Sequence, residues 1–248
     1  MYTGTYLIAG RCFRLDSRHP EIHRLAEAFR TTRPVEEWIE SPEWMPRWLR
    51  EQYCPGVDRI PIGPNTEVFS MLTAVMAALE PRGYLAIHGC AFAVDGTGIL
   101  LVAGSGVGKT THALHWQTLL GDRFRFINGD IPFLKKERGR VYAYGTPWNG
   151  KERLGGTDRA CLRAIVHLTR GEENRLEPVS LPLSRSWLRD AALLTGHLDG
   201  YPGRDLGRME HNLEQVVAGL PLFELHCTPD PDAARVAYEG LSTILKIQ

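Results

Sequence analysis

Apolar positions in the first eighty residues come in short, interrupted groups. Residues 6–9 make a brief extended run, and the charged stretch 22–30 that follows has helical spacing. In SPEWMPRWLREQYCPG, Pro42 and Pro46 confine any helix to the residues after Pro46. Residues 67–79 are apolar at helical spacing and end on the breaker Glu80-Pro81-Arg82-Gly83. From Tyr84 the period changes. Residues 84–94 and 99–103 are continuous apolar runs, joined by the hairpin-type turn Asp95-Gly96-Thr97-Gly98. A glycine-rich loop comes next, then a helix over Lys109–Leu120 and a strand over Phe124–Asn128. Residues 131–135 and 140–144 read as strands around Glu137-Arg138-Gly139, and 164–168 as another. Helical patterns near 186–195, 208–218 and 231–246 fill the last third, with a strand over 222–226 before the last. The pattern predicts an α/β chain with a smaller N-terminal accessory lobe (1–83) and a main domain (84–248). The main domain divides into a core (84–175) and a helical completion (176–248).

Composition narrows this little. At 248 residues, 43% of them hydrophobic, core burial poses no difficulty. Twenty-nine basic residues balance twenty-nine acidic ones, so no charge excess points to nucleic acid or an anionic membrane. No apolar run reaches the roughly 18–20 residues of a membrane span, and charges arrive too early for a secretory signal. Cys12, Cys54, Cys90, Cys161 and Cys227 lack zinc or redox spacing, which suggests reduced thiols in a cytoplasmic protein.

The chemistry concentrates in ILLVAGSGVGKTTHALHW. Ala103 to Thr110 fits the phosphate-binding loop pattern [AG]xxxxGK[ST], with an apolar strand before it and an amphipathic helix after it. Gly104, Gly106 and Gly108 allow the tight turn that points successive N–H groups, with those of Ser105 and Val107, at an anion. Lys109 brings positive charge to the β- and γ-phosphates. The Thr110 hydroxyl is the magnesium-ligand candidate, and the helix start at Thr110 and Thr111 presents its positive end. Nucleotide, in the form of ATP with Mg2+, is therefore the implied cofactor. Asp130, 21 residues after Lys109, is the second candidate, as a metal ligand or a general base. Its strand should lie beside the loop's own strand. NKxD, LSGGQ, HRD and DFG are all absent, which weighs against GTPase, transporter and eukaryotic-type protein kinase readings.

HGCAFAVDGTGILLVAGSGVGKTTHALHW followed by FINGDIPFL resembles the catalytic domain of the HPr kinase family, with kinship to ATP-dependent phosphoenolpyruvate carboxykinases. The similarity covers roughly residues 84–175. It is closer still to short HPr-kinase-like proteins encoded beside modified-peptide pathways, including lasso-peptide ones, which similarly carry GTPWNGKE (145–152) and RGEEN (170–174). The resemblance implies a P-loop mixed sheet and transfer of phosphate to a serine hydroxyl on a peptide or small protein. It also implies a homo-oligomer, although no interface pattern stands out in the sequence. His88 and Gly89 match the family's His-Gly before the hairpin, which makes His88 a catalytic candidate beside Lys109 and Asp130. One departure is plain: Asn128-Gly129-Asp130 stands where the family usually carries adjacent aspartates.

GTPWNGKERLGG suggests a substrate or phosphate loop, with Lys151 neutralising transferred charge and Trp148 packing beneath it. Arg170 ends a strand and either reaches a phosphate or pairs with Glu172 or Glu173. Trp38, Trp44, Trp48 and Tyr53 either face a peptide or pack between lobes. His112 with His115, and His19 with His23, lack the partners of a metal site and read as packing or surface residues. Two rival functions remain open: a kinase for a small-molecule hydroxyl such as free serine, and a non-catalytic, nucleotide-gated peptide-binding module.

Overall fold

The computed structural model describes residues 1–192 and 205–245. At the N-terminus, β1 (Tyr2–Ile8) and β2 (Arg11–Ser17) are antiparallel, and β3 (Glu37–Glu40) adds parallel to β2. The charged stretch after β2 is not one helix. It forms the short α1 (Glu21–Leu25) and a separate 3-10 turn over Glu27–Phe29, enough to bury Ile22, Ala26 and Phe29. Helix α2 (Arg47–Tyr53) begins directly after Pro46, whose ring fits a helix start but not its interior. Helix α3 (Pro64–Leu79) carries the fully buried Glu67. Its two carboxylate oxygens accept the N–H groups of Arg18 (2.7 Å) and His19 (2.9 Å), tying the end of β2 to the helix.

Among the described residues, nine strands build the large mixed sheet. They are β4 (Tyr84–Ala86), β5 (Gly89–Val94), β6 (Thr97–Val102), β7 (Phe124–Asn128), β8 (Phe133–Glu137), β9 (Arg140–Tyr144), β10 (Arg159–Arg170), β11 (Arg175–Pro178) and β12 (Leu222–Cys227). Their order is β4-β8-β9-β10-β6-β5-β7; β12 lies along the second half of β10, and β11 on β12. The helices are α4 (Lys109–Leu120), α5 (Leu181–Ala191), α6 (Leu206–Val217), α7 (Asp232–Gly240) and α8 (Ser242–Leu245). Phe92, Leu101 and Val166 pack with Trp116 of α4 and Ala234 of α7 on one face. Ala91, Leu100 and Val102 pack with Leu188 of α5 and Leu213 of α6 on the other. Covered on both sides, β5 and β6 are buried at every position, which is why they read as continuous apolar runs. A third apolar cluster runs from the small sheet, through Tyr6, Phe13 and Leu15, past α3 to Phe133, Tyr144 and Trp148 of the large sheet's side.

Two features of the large sheet differ from the sequence reading. The apolar run 84–94 breaks at Ile87-His88, because β4 pairs with β8 whereas β5 pairs with β6 and β7. And β7 does not lie beside the loop strand β6. The β5–β6 hairpin is antiparallel, so β5 takes that place and β7 pairs antiparallel to β5. Two antiparallel steps return β7 to the direction of β6. The C-terminal ends of both strands therefore still open on one edge. The helix read over 231–246 ends at Gly240 and restarts as α8, with residue 246 outside the described residues. The helix read over 186–195 starts at Leu181, and its tail from 193 also lies outside them. Among the described residues, no helix is long and apolar enough to cross a membrane, and the five cysteines are free thiols.

Candidate active site

The loop between β6 and α4 follows from its glycines. Gly108, the residue before α4, has φ 116°, a left-handed conformation that a side chain rarely tolerates. Gly104, Ser105 and Gly106 are exposed, Val107 and Thr110 half-buried, and Thr111 exposed at the helix start. Lys109 is buried, and its Nζ donates to the Ala103 carbonyl at 3.0 Å. Burial lowers the pKa of its ammonium, with the Asp130 carboxylate acting in the opposite direction. The two groups thus share one site. Arg170, at the end of β10, donates to the Gly106 carbonyl at 3.1 Å and so braces the loop itself.

Asp130 follows β7 and is aimed by Asn128. The fully buried Asn128 amide donates to the Thr146 carbonyl (3.1 Å) and hydroxyl (3.0 Å), while its carbonyl oxygen accepts the Asp130 N–H (2.9 Å). The Thr146 hydroxyl in turn donates to the Ile131 carbonyl at 2.7 Å. Every polar atom of that amide is used, and a carboxylate in its place would turn acceptors toward the Thr146 carbonyl. The departure from adjacent aspartates is therefore a clamp on Asp130. Neither Asn128 in this role nor Thr146 is visible in the sequence, since their pairing spans 18 residues.

His88 sits at the break between β4 and β5. Its Nε2 lies 3.4 Å from Asp130 Oδ1. Its backbone N–H donates to the Ala191 carbonyl at the end of α5 (2.6 Å), and the neighbouring Gly89 N–H to the Asp130 carbonyl (2.8 Å). Burial first, and then the Lys109 charge, lower the His88 pKa against the pull of Asp130. The shift favours the neutral imidazole. The structure brings Lys109, Asp130 and His88 together from three separate segments.

The 145–156 segment folds against the Asp130 turn. Gly145 has no room for a side chain: an added Cβ would fall 1.7 Å from the Gly156 carbonyl oxygen. Further on, the Gly129 N–H donates to the Leu154 carbonyl (2.9 Å) and the Ile131 N–H to that of Trp148 (3.0 Å). Trp148 is buried, stacks on Phe133 with centroids 6.3 Å apart, and donates its indole N–H to the Val68 carbonyl of α3 at 3.1 Å. It is a strut under the loop and offers no surface to a ligand. Lys151 is exposed. Glu152, which the sequence reading did not single out, lies with Asp130 around Gly150: a Cβ built on Gly150 would lie 3.3 Å from Asp130 Cβ and 3.6 Å from Glu152 Oε2. The aromatic group disperses. Trp48 is buried against Phe69, Trp44 lies under Arg59, Trp38 is exposed beside Arg14, and Tyr53 is exposed.

On the flank of the loop, Val107, Gly108, Thr111, His112, Leu168 and Arg170 are among the residues lining a cleft of about 400 Å³. A larger depression of about 540 Å³ surrounds the Asp95-Gly96 turn, at the opposite end of β5 and β6, and holds none of these groups. Among the described residues, no three His, Cys, Asp or Glu side chains gather as a metal site. Thr110 and Asp130 offer hard oxygen donors, and a cation held by two such side chains needs phosphate and water oxygens to fill its shell, as Mg2+ does. The donor set fits that ion.

No family model and no curated protein matches the chain. Among solved structures, it is similar to the HPr(Ser) kinase/phosphatase from Coxiella burnetii, with a TM-score of 0.38 and 10% identity. The match covers 64% of this chain and 92% of that one. Likeness at that level bears on neither substrate nor mechanism.

Proposed function

We propose that this protein is an ATP- and Mg2+-dependent kinase that transfers the γ-phosphate to a hydroxyl, a serine on a peptide or small protein. The observation that supports it most is the His88–Asp130 contact of 3.4 Å beside the buried Lys109 of the phosphate loop. In this reading the N–H groups of 104–108 and Lys109 hold the phosphates. Thr110 and Asp130 hold Mg2+, which when bound neutralises phosphate charge. Arg170 keeps the loop in shape. Asp130, aimed by Asn128, or the neutral His88 beside it takes the acceptor's proton. Lys151 and Glu152 stand on the rim where the acceptor enters, carried by a segment that Trp148 anchors to α3. Residues 1–83 act as an accessory lobe that supports this rim.

Mass spectrometry of peptide and amino-acid pools after incubation with Mg-ATP tests the reading and names the acceptor class. Phosphorylated peptide from wild type, and none from Lys109→Ala, is the expected result. Phosphorylation of free serine alone would select a small-molecule kinase. ATP-strengthened peptide binding with no phosphate transferred would select a non-catalytic module.

A further inference from the structure

The cleft on the flank of the phosphate loop has no wall in common with the His88–Asp130 side. Val107, Leu168 and Pro229 give it apolar surfaces, and the buried His112 forms part of it. The state of that histidine is determined by its neighbour one helical turn on. Trp116 donates its indole N–H to His112 Nε2 at 3.1 Å. A ring nitrogen that accepts carries no proton, so the proton of the neutral ring is on Nδ1. Trp116 has little freedom to release the bond. It is fully buried, packed on Phe92 (centroids 5.1 Å apart) and edge-on to Tyr238 (6.0 Å, 88°). The outcome is a fixed hydrogen-bond donor on a largely apolar wall. Val107 and Gly108 belong to both the loop and the cleft. A ligand whose phosphates lie on the loop can therefore continue straight into it.

We propose that this cleft is the nucleoside subsite of the phosphate loop, and that His112 Nδ1–H reads a ring-nitrogen acceptor of a purine base seated there. The proposal rests on the reading of the loop as a nucleoside-triphosphate site. Flat apolar walls suit an aromatic base, and a purine presents ring-nitrogen acceptors on each of its edges. The other polar side chains differ in kind: Arg170 is engaged with Gly106, Cys227 donates its thiol to the Thr169 carbonyl, Thr111 and Thr228 carry hydroxyls that donate or accept as the ligand requires, and His115 is a second, half-buried imidazole without the Trp116 bond. His112 is the one whose polarity is fixed by a buried partner, which makes it the discriminating residue.

Calorimetric titration of wild type and His112→Leu with inorganic tripolyphosphate, ATP, 1-deaza-ATP, 3-deaza-ATP and 7-deaza-ATP tests this. Tripolyphosphate should bind both proteins, and ATP should bind wild type more tightly than tripolyphosphate does. One of the three deaza analogues should lose about tenfold on wild type, the value of one hydrogen bond whose buried donor is left unpaired. That loss should vanish in His112→Leu. Three results would overturn the subsite: wild type binding ATP no better than tripolyphosphate, equal binding of ATP and all three analogues, or a folded His112→Leu that discriminates as wild type does. If His112→Leu does not fold, the analogue series on wild type decides alone. Failure of wild type to bind tripolyphosphate at all would instead overturn the loop reading, and the subsite with it.

Discussion

Asn128 shows how much one amide can decide. It is fully buried, donates to Thr146 and accepts from the N–H of Asp130. Asn128→Asp keeps the shape but removes the donor and places a carboxylate against a carbonyl oxygen. It should lower stability by about 1–3 kcal/mol, read from urea denaturation, and slow transfer through misdirection of Asp130. Unchanged stability would show that the amide is not holding that turn. His112 has a pH signature. Its folded value of about 4 lies below the ordinary 6.5, so the unfolded chain takes up a proton that the folded one refuses. Its contribution is complete above pH 6.5 and is lost as pH falls toward 4, by about 3 kcal/mol at most. Burial also pushes His23, His88 and His167 down, which steepens the total slope. Denaturation of wild type and His112→Leu at pH 7.5 and 5 isolates the one residue: the variant should lose less on acidification. The sequence held the His112 and Trp116 spacing in plain view. The spacing alone does not mark His112 as buried, because apolar residues are spread around α4 and do not form one clear face.

At the scale of elements, the loop strand, phosphate loop and α4 were legible because each is local. The apolar run, the glycines and the helical spacing occupy consecutive residues. What was hidden depends on pairing across the chain. β3 has only four residues and exposes Trp38, so it makes no apolar run, and it is a strand only because β2 lies beside it. The position of β7 was misread for a related reason: a hairpin between two buried strands fills the neighbouring slot, and composition cannot say which strand it will flank. The 145–156 segment is the element most open to test. Trp148 supports it from below through Phe133 and the Val68 carbonyl. Trp148→Ala should cost about 3–5 kcal/mol, seen as a lower Tm. Trp148→Phe keeps most of the packing and loses only the indole N–H. It should raise KM for the acceptor while nucleotide affinity stays the same. A matching loss of nucleotide affinity would show that the strut serves the phosphate loop as well.

Across the whole molecule, the sheet gathers Lys109, His88 and Asp130 on one edge from segments that are 21 residues or more from Lys109 in the chain. The motif alone indicated the loop; the sheet order explains why the other two join it. Antiparallel steps through β5 bring the end of β7 back to the end of β6, and the strand break at His88 lies between them. The small N-terminal sheet shares an apolar cluster with Phe133, Tyr144 and Trp148, so the rim of the site and the N-terminal lobe are packed as one. Destabilising that cluster should therefore affect acceptor use before it affects nucleotide binding.

The most direct test is the rate of γ-phosphate transfer from Mg-ATP in wild type, Lys109→Ala and Asp130→Asn, with folding checked by circular dichroism. The account predicts transfer by wild type. It predicts a loss on the order of a thousandfold in Lys109→Ala, where stabilisation of the transferring charge is removed. A loss of about 10²–10⁴ is predicted for Asp130→Asn, where the carboxylate proposed to hold the metal, and to take the acceptor's proton itself or beside His88, is removed. Wild-type rates in a folded Lys109→Ala variant would contradict it.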